Sequence, residues 1–315
     1  MDHGIVPEPP IVFIGGSGRS GTNISKEILA LHPDVATLPF EYRFIIDPNG
    51  IIDFYTRAQQ HWSPYAIDNQ IKQLEQFLRT LAKKPEPDSS GSAGYFDWEL
   101  DQWIPGYSEF VTQLIDDLTE FSYTATWPGI PPTHNPGRMY FASPDREHLR
   151  RVLGRFVHQC VHAILEQEKT GVFIEDNTWN ILYAKELLEL CPSGRLIHMV
   201  RNPRDVIASL RTQRWTPDTV RELVVWYSEV MGRWNMVRNS LQESHYLEVR
   251  LEDLVGNTET IVKKICDFIP LPFHEKLLNL PLDRAHSGRW KSELQPEEQN
   301  LVEEELSDII DEYQY

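Results

Sequence analysis

Arg19 sits at the apex of a glycine-rich turn, Gly15-Gly16-Ser17-Gly18-Arg19-Ser20-Gly21-Thr22, which follows the β-branched and aromatic run Ile11 to Ile14. A guanidinium is a planar fork of donors suited to phosphate or sulfate. Glycines let backbone N–H groups close around an anion, and a following helix adds its positive end. The turn therefore predicts a phosphate or sulfate site. Gly16 and Gly21 have the Walker A spacing, but Thr22 and Asn23 stand where that motif places Lys and Ser/Thr. The two groups that serve ATP and GTP chemistry are thus missing.

A second basic residue, Arg201, closes the run Arg195 to Val200, and Ser209 follows eight positions later. The two can converge on one anion at an open sheet edge. Two anion sites at neighbouring strand ends, one lacking Walker chemistry, suggest a nucleotide with phosphates at both its 5′ and 3′ ends. Glu41 and Arg43 lie just past the short apolar stretch Val35 to Leu38. A carboxylate there is a solvated surface group, an ion-pair partner of a neighbouring arginine, or a functional group of the site. His158 and His162 are one helical turn apart, but no third ligand lies near them in sequence, so no metal site is expected.

These residues need strands to end where they stand. Ile11 to the glycines, Val35–Leu38, Gly171–Glu175, Arg195–Val200 and Tyr246–Val249 read as strands. Helices are expected at Asn23–Leu31, Asn180–Leu190, Pro203–Arg211, Thr219–Leu241, Thr258–Phe268 and Pro296–Ile310. Strands alternating with helices at this spacing imply parallel βαβ units, hence an α/β class with a central, mainly parallel sheet flanked by helices in three layers. The chain is read as one domain, 1–315, in which 53–170 is a mostly helical and looped insertion. It holds helices at Asp68–Lys83, Phe110–Phe121 and His148–Lys169, a surface loop at Lys84–Gly94, and a long Pro/Gly-rich loop at Ser122–Asp145 carrying Trp127.

The net charge of −17 argues against duplex nucleic acid and anionic membrane surfaces as partners. Cys160, Cys191 and Cys266 are widely spaced among apolar neighbours and read as core thiols in a reducing compartment. No positive n-region precedes the first strand and no run of eighteen apolar residues occurs, so a cytoplasmic location is expected. Asp97, Glu99, Asp101, Asp116 and Asp117 crowd one segment; they are read as a solvated face rather than a cation site. The oligomeric state is not legible.

The chain resembles the sulfotransferases that use 3′-phosphoadenosine 5′-phosphosulfate (PAPS). GSGRSGT looks like their 5′-phosphosulfate loop and VRNPRDVIASL like their 3′-phosphate motif. HPDV followed by FEYR is similar to the tyrosylprotein branch, VRLEDLV resembles VRYEDLV, and SGRWKSEL resembles the segment that closes over the nucleotide. The resemblance implies a P-loop-kinase-like fold and transfer of a sulfuryl group from PAPS, leaving adenosine 3′,5′-bisphosphate (PAP), to a hydroxyl or amine of a small-molecule or carbohydrate acceptor, with no metal. Gly18, Arg19, Ser20, Gly21, Thr22 and Asn23 would hold the phosphosulfate, and Arg201 and Ser209 the 3′-phosphate. Arg284, Ser287, Gly288 and Trp290 would close the site. Glu41 would be the base, with Arg43 beside it for the acceptor, and Arg19 would stabilise the departing phosphate; the loop around Trp127 matches no family motif and is expected to form the acceptor side. Two departures stand out. Asp176 occupies the place of a family lysine that contacts the transferring sulfate, leaving Arg19 and backbone amides, Lys26 or Arg43 to replace it; Leu251 replaces a tyrosine. The rival readings are a P-loop phosphotransferase and a non-catalytic nucleotide-binding module.

Overall fold

The computed structural model describes residues 8–83, 98–126, 137–282 and 287–315. Seven strands occur among them: β1 (Ile11–Gly16), β2 (Val35–Thr37), β3 (Phe121–Ala125), β4 (Gly137–Phe141), β5 (Val172–Glu175), β6 (Arg195–Val200) and β7 (Tyr246–Arg250). The chain divides into two compact units, one built on residues 10–37, 170–188 and 193–315, the other on 1–9, 38–169 and 189–192.

The first of these is organised by a five-stranded sheet in the order β2-β5-β1-β6-β7, parallel throughout. Its central strand, IVFIGG, is buried at every position, as a parallel strand covered on both faces must be. Val12 and Ile14 join Ile174, Ile197, Met199 and Val249 in a core that is closed by Ile28 and Leu29 of the helix Thr22–Leu29 and by Val262 and Ile265 of the helix Thr258–Phe268. Burying each such side chain contributes about 1.5–3 kcal/mol. Asp34 starts β5, its carbonyl accepting from Gly171 and Val172 N–H. Because all five strands run the same way, their carboxyl ends lie on one edge, where α/β sheets bind ligands.

The other unit is mainly helical: Ile51–Gln60, Pro64–Ala82, Tyr107–Leu118 and Arg146–Glu168, with β3 and β4 as an antiparallel pair. Phe44, Tyr107 and Phe156 pack together at its centre with ring centroids 5.7–6.1 Å apart. Ser63 caps the helix that Pro64 opens, accepting from Ala66 N–H. Buried Asp68 accepts from Tyr140 N–H at 2.8 Å and from Lys72 at 2.8 Å, tying the long helix to β4.

Three expectations are corrected. Ser122–Asp145 is not a loop throughout: β3 and β4 pair at its two ends, with Phe121 stacked on Phe141 at 4.7 Å. Cross-strand aromatic pairing outweighs the Pro/Gly content of the connection. The preceding helix accordingly ends at Leu118 rather than Phe121. The C-terminal helix is two, Pro296–Glu305 and Ser307–Glu312, separated at Leu306. The helix Ile51–Gln60 was not anticipated. No described helix is long and apolar enough to cross a membrane.

Candidate active site

The glycine turn joins β1 to the helix Thr22–Leu29 in left-handed backbone. Gly18, Arg19 and Gly21 have φ of 77°, 56° and 102°, which glycine adopts freely and arginine does not. The run of unusual dihedrals bends the chain tightly enough that a Cβ on Gly16 would collide with Ser20 Oγ. Ser20 is fully buried and its Oγ has no hydrogen-bond partner among the described residues. A buried hydroxyl without a partner is costly. Thr22 is buried as the first helical residue, while Asn23 is exposed at the second.

Arg19 also joins the glycine turn to the segment Arg201–Ser209. Its Nε donates to Ser209 Oγ at 3.0 Å, and its carbonyl accepts from Arg201 Nη1 at 3.0 Å. Arg201 is 7% exposed, and burial lowers its guanidinium from the ordinary value, against the pull of the Asp205 and Glu252 carboxylates. Both motifs thus meet at the carboxyl ends of neighbouring β1 and β6, which pair in register from Val12 with Arg195 to Gly16 with Met199.

Asp205 anchors the segment Gly288–Trp290, a role its sequence gives no sign of. Buried in the helix Pro203–Leu210, its carboxylate accepts from Gly288 N–H at 2.8 Å and Trp290 N–H at 3.2 Å. The Arg204 guanidinium lies 5.2 Å over the Trp290 ring. Ser287 is exposed beside them; Arg284 and Trp127 lie outside the described residues.

Asp176, where the family places a lysine, accepts from Lys26 Nζ at 2.8 Å, with the carboxylate side chain 3% exposed. Next to it Glu175 accepts from Asn177 N–H at 2.9 Å and from Asn180 Nδ2. Leu251 packs against Gly21, its Cδ1 2.8 Å from where a Cβ would stand; the leucine fills the space beside the loop without offering a polar contact.

Glu41 and Arg43 belong to the helical unit. Arg43 donates from Nη1 to Glu41 at 3.3 Å and from Nε to Asp47 at 2.9 Å, and the Glu41 side chain is 31% exposed. The acidic segment is engaged locally: Asp101 accepts from Ser108 N–H and Oγ, and Asp117 from Arg155 and Gln113; Asp97 is outside the described residues. His158 is buried, which lowers its pKa. Among the described residues no group of three or more His, Cys, Asp or Glu is placed to hold a metal ion.

The model of the sulfotransferase family matches residues 10–275. The chain belongs to that family. This sulfotransferase is 25% identical over 329 aligned positions to omega-hydroxy-beta-dihydromenaquinone-9 sulfotransferase Stf3 of Mycobacterium bovis, covering 99% of the present chain and 76% of that protein. It is 30% identical over 89 residues to a 3-beta-hydroxysteroid sulfotransferase of Cavia porcellus, covering 24% and 31% respectively. Among solved structures, the sulfotransferase domain from the curacin biosynthetic pathway aligns over 95% of this chain and 98% of its own at 17% identity, with a TM-score of 0.44. Family membership makes the protein a sulfuryl-transferring enzyme and sets aside the kinase and binding-module readings.

Proposed function

We propose that the donor is PAPS and that the acceptor is a hydroxyl on a small molecule. The observation that carries this is the double tie at Arg19: the same residue meets Ser209 through its side chain and Arg201 through its carbonyl. One nucleotide with charge at both its 5′ and 3′ ends fits both motifs, whereas ATP would leave Arg201 and Ser209 without a phosphate. The names of the relatives, a hydroxylated menaquinone derivative and a hydroxysteroid, support a small-molecule hydroxyl over an amine or a protein side chain.

In this reading Gly18 to Asn23 cradle the phosphosulfate, the orphaned Ser20 hydroxyl and loop amides donating to it. Arg201 and Ser209 take the 3′-phosphate, and the segment Ser287–Trp290, held by Asp205, closes over the nucleotide. Lys26, pinned by Asp176 one turn into the helix that follows the loop, supplies the cation that the missing family lysine would have supplied. Arg43 is occupied by Asp47 and Glu41 and steadies the base.

The step is an in-line displacement. Acceptor oxygen forms a bond to sulfur as the bond from sulfur to the bridging oxygen of the 5′-phosphate breaks. Glu41 takes the acceptor proton, and PAP departs with the bonding pair, its charge neutralised by Arg19 and the loop amides. Protein cations and dipoles supply alignment and charge compensation, as in phosphoryl transfer. Calorimetric titration with PAP and with Mg·ATP, followed by ³⁵S transfer from labelled PAPS to small phenols and alcohols, tests the reading. Preference for PAP and labelled product are expected; tighter binding of Mg·ATP would overturn it.

A further inference from the structure

Three indoles that belong to neither anion motif gather beside the loop. Trp215, in the segment after the helix Pro203–Leu210, is 53% exposed. Its Cη2 stands 3.1 Å from where a Cβ on Gly18 would lie, and Thr178, just past β5, lines the same approach at 3.7 Å. Trp179 and Trp226 brace it edge-on, with centroids 6.4 and 5.8 Å from Trp215 and 5.6 Å from one another. Gly18 has no Cβ and a φ of 77°, which leaves the indole room to stand against the glycine turn.

Two polar side chains near Trp215 are engaged with backbone carbonyls. Gln213 Nε2 donates to Ser209 O at 3.2 Å and Thr216 Oγ1 to Leu210 O at 2.7 Å. Beside the glycine turn stands a half-exposed aromatic face braced by two further rings. Such a face binds another ring by stacking and apolar burial.

We propose that Trp215, braced by Trp179 and Trp226, is the acceptor platform: a ring-bearing apolar alcohol or phenol lies against the indole with its hydroxyl over the loop. This names the acceptor class of the site described above and rests on that reading for the position of the sulfuryl group.

Calorimetric titrations of 2-naphthol and methyl β-glucoside, with and without PAP, on wild type, Trp215→Ala and Trp215→Phe test it. Wild type should bind naphthol more tightly than glucoside. Trp215→Ala should weaken naphthol binding about tenfold, Trp215→Phe should restore most of it, and PAP affinity should stay within about twofold throughout. Unchanged circular dichroism reports folding of a variant at this half-exposed position. A parallel loss of PAP affinity in Trp215→Ala would assign the rings to the donor's adenine and overturn the proposal, as would tighter glucoside binding or naphthol binding unaffected by the substitution. Failure of wild type to bind PAP while naphthol still binds through Trp215 would refute the donor reading and leave the ring site standing.

Discussion

Lys26 Nζ and Asp176 Oδ1 form a 2.8 Å ion pair between the helix that follows the glycine turn and the end of β5, with the carboxylate almost wholly buried. Two positions that the sequence separates by most of the chain's first half are thereby one unit. Removing only the cation leaves a buried charge behind, so Lys26→Ala should cost about 3–5 kcal/mol in urea unfolding. Asp176→Asn should cost less, because a neutral amide tolerates the site. In Asp176→Asn the freed lysine loses its fixed position, and kcat should fall with PAP affinity little changed.

Glu41→Gln removes the proposed base and keeps its shape. Turnover should fall about 10²–10⁴-fold while PAP still binds with wild-type affinity. Calorimetry and ³⁵S transfer on the same sample check both parts; full activity would remove Glu41 from the mechanism.

Arg201→Ala should weaken PAP about 10–100-fold, the range expected for hydrogen bonds to a charged partner. Adenosine 5′-phosphate, which lacks the 3′-phosphate, should lose much less. Equal losses for the two nucleotides would mean that Arg201 only supports the carbonyl of Arg19.

Glu248 is the centre of a different network, on β7. Its carboxylate accepts from Trp234 at 2.9 Å, Tyr313 at 2.7 Å and Arg238 at 3.2 Å, and lies 3.0 Å from His198 Nδ1. Burial by itself would raise its pKa, but the hydrogen bonds from His198, Tyr313 and Trp234 hold it at about 2. A folded-state value below the unfolded one contributes stability above the unfolded pKa, near 4.5, and loses it as pH falls toward 2. Glu248→Gln should therefore destabilise by about 2–4 kcal/mol at pH 7. The gap from wild type should narrow at pH 3, as urea midpoints will show.

Burial pushes the Cys160 and Cys191 thiols far up and Cys266 up to about 11. With few thiolates and no exposure, none should react with a disulfide reagent at pH 8 in the folded protein. All three should react after unfolding in urea; rapid labelling of the native state would contradict their placement in the core.

The sequence by itself determined the five strands of the parallel sheet and the glycine-rich turn after the first of them, because each rests on local chemistry. A run such as IVFIGG followed by GSGRSGT has few foldings other than a buried strand and a left-handed turn. Long helices such as Arg146–Glu168 and Val220–Arg238 were legible for the same reason, whereas Asn180–Leu190 begins as a 3-10 turn, Thr178–Tyr183, before the α-helix Ala184–Leu190. The hairpin of β3 and β4 was hidden because its signal is the match between Phe121 and Phe141, twenty positions apart. Sequence also left Lys26 as one of several substitutes for the lysine missing at 176. Tertiary structure decided the pairing, since parallel β1 and β5 and the helix after β1 bring the two side chains together. The same packing made Asp205 the anchor of Gly288 and Trp290 and set Trp215 against Gly18. Such contacts join residues tens to more than a hundred positions apart, and no local pattern encodes a distance between side chains that only the assembled sheet and its helices bring together.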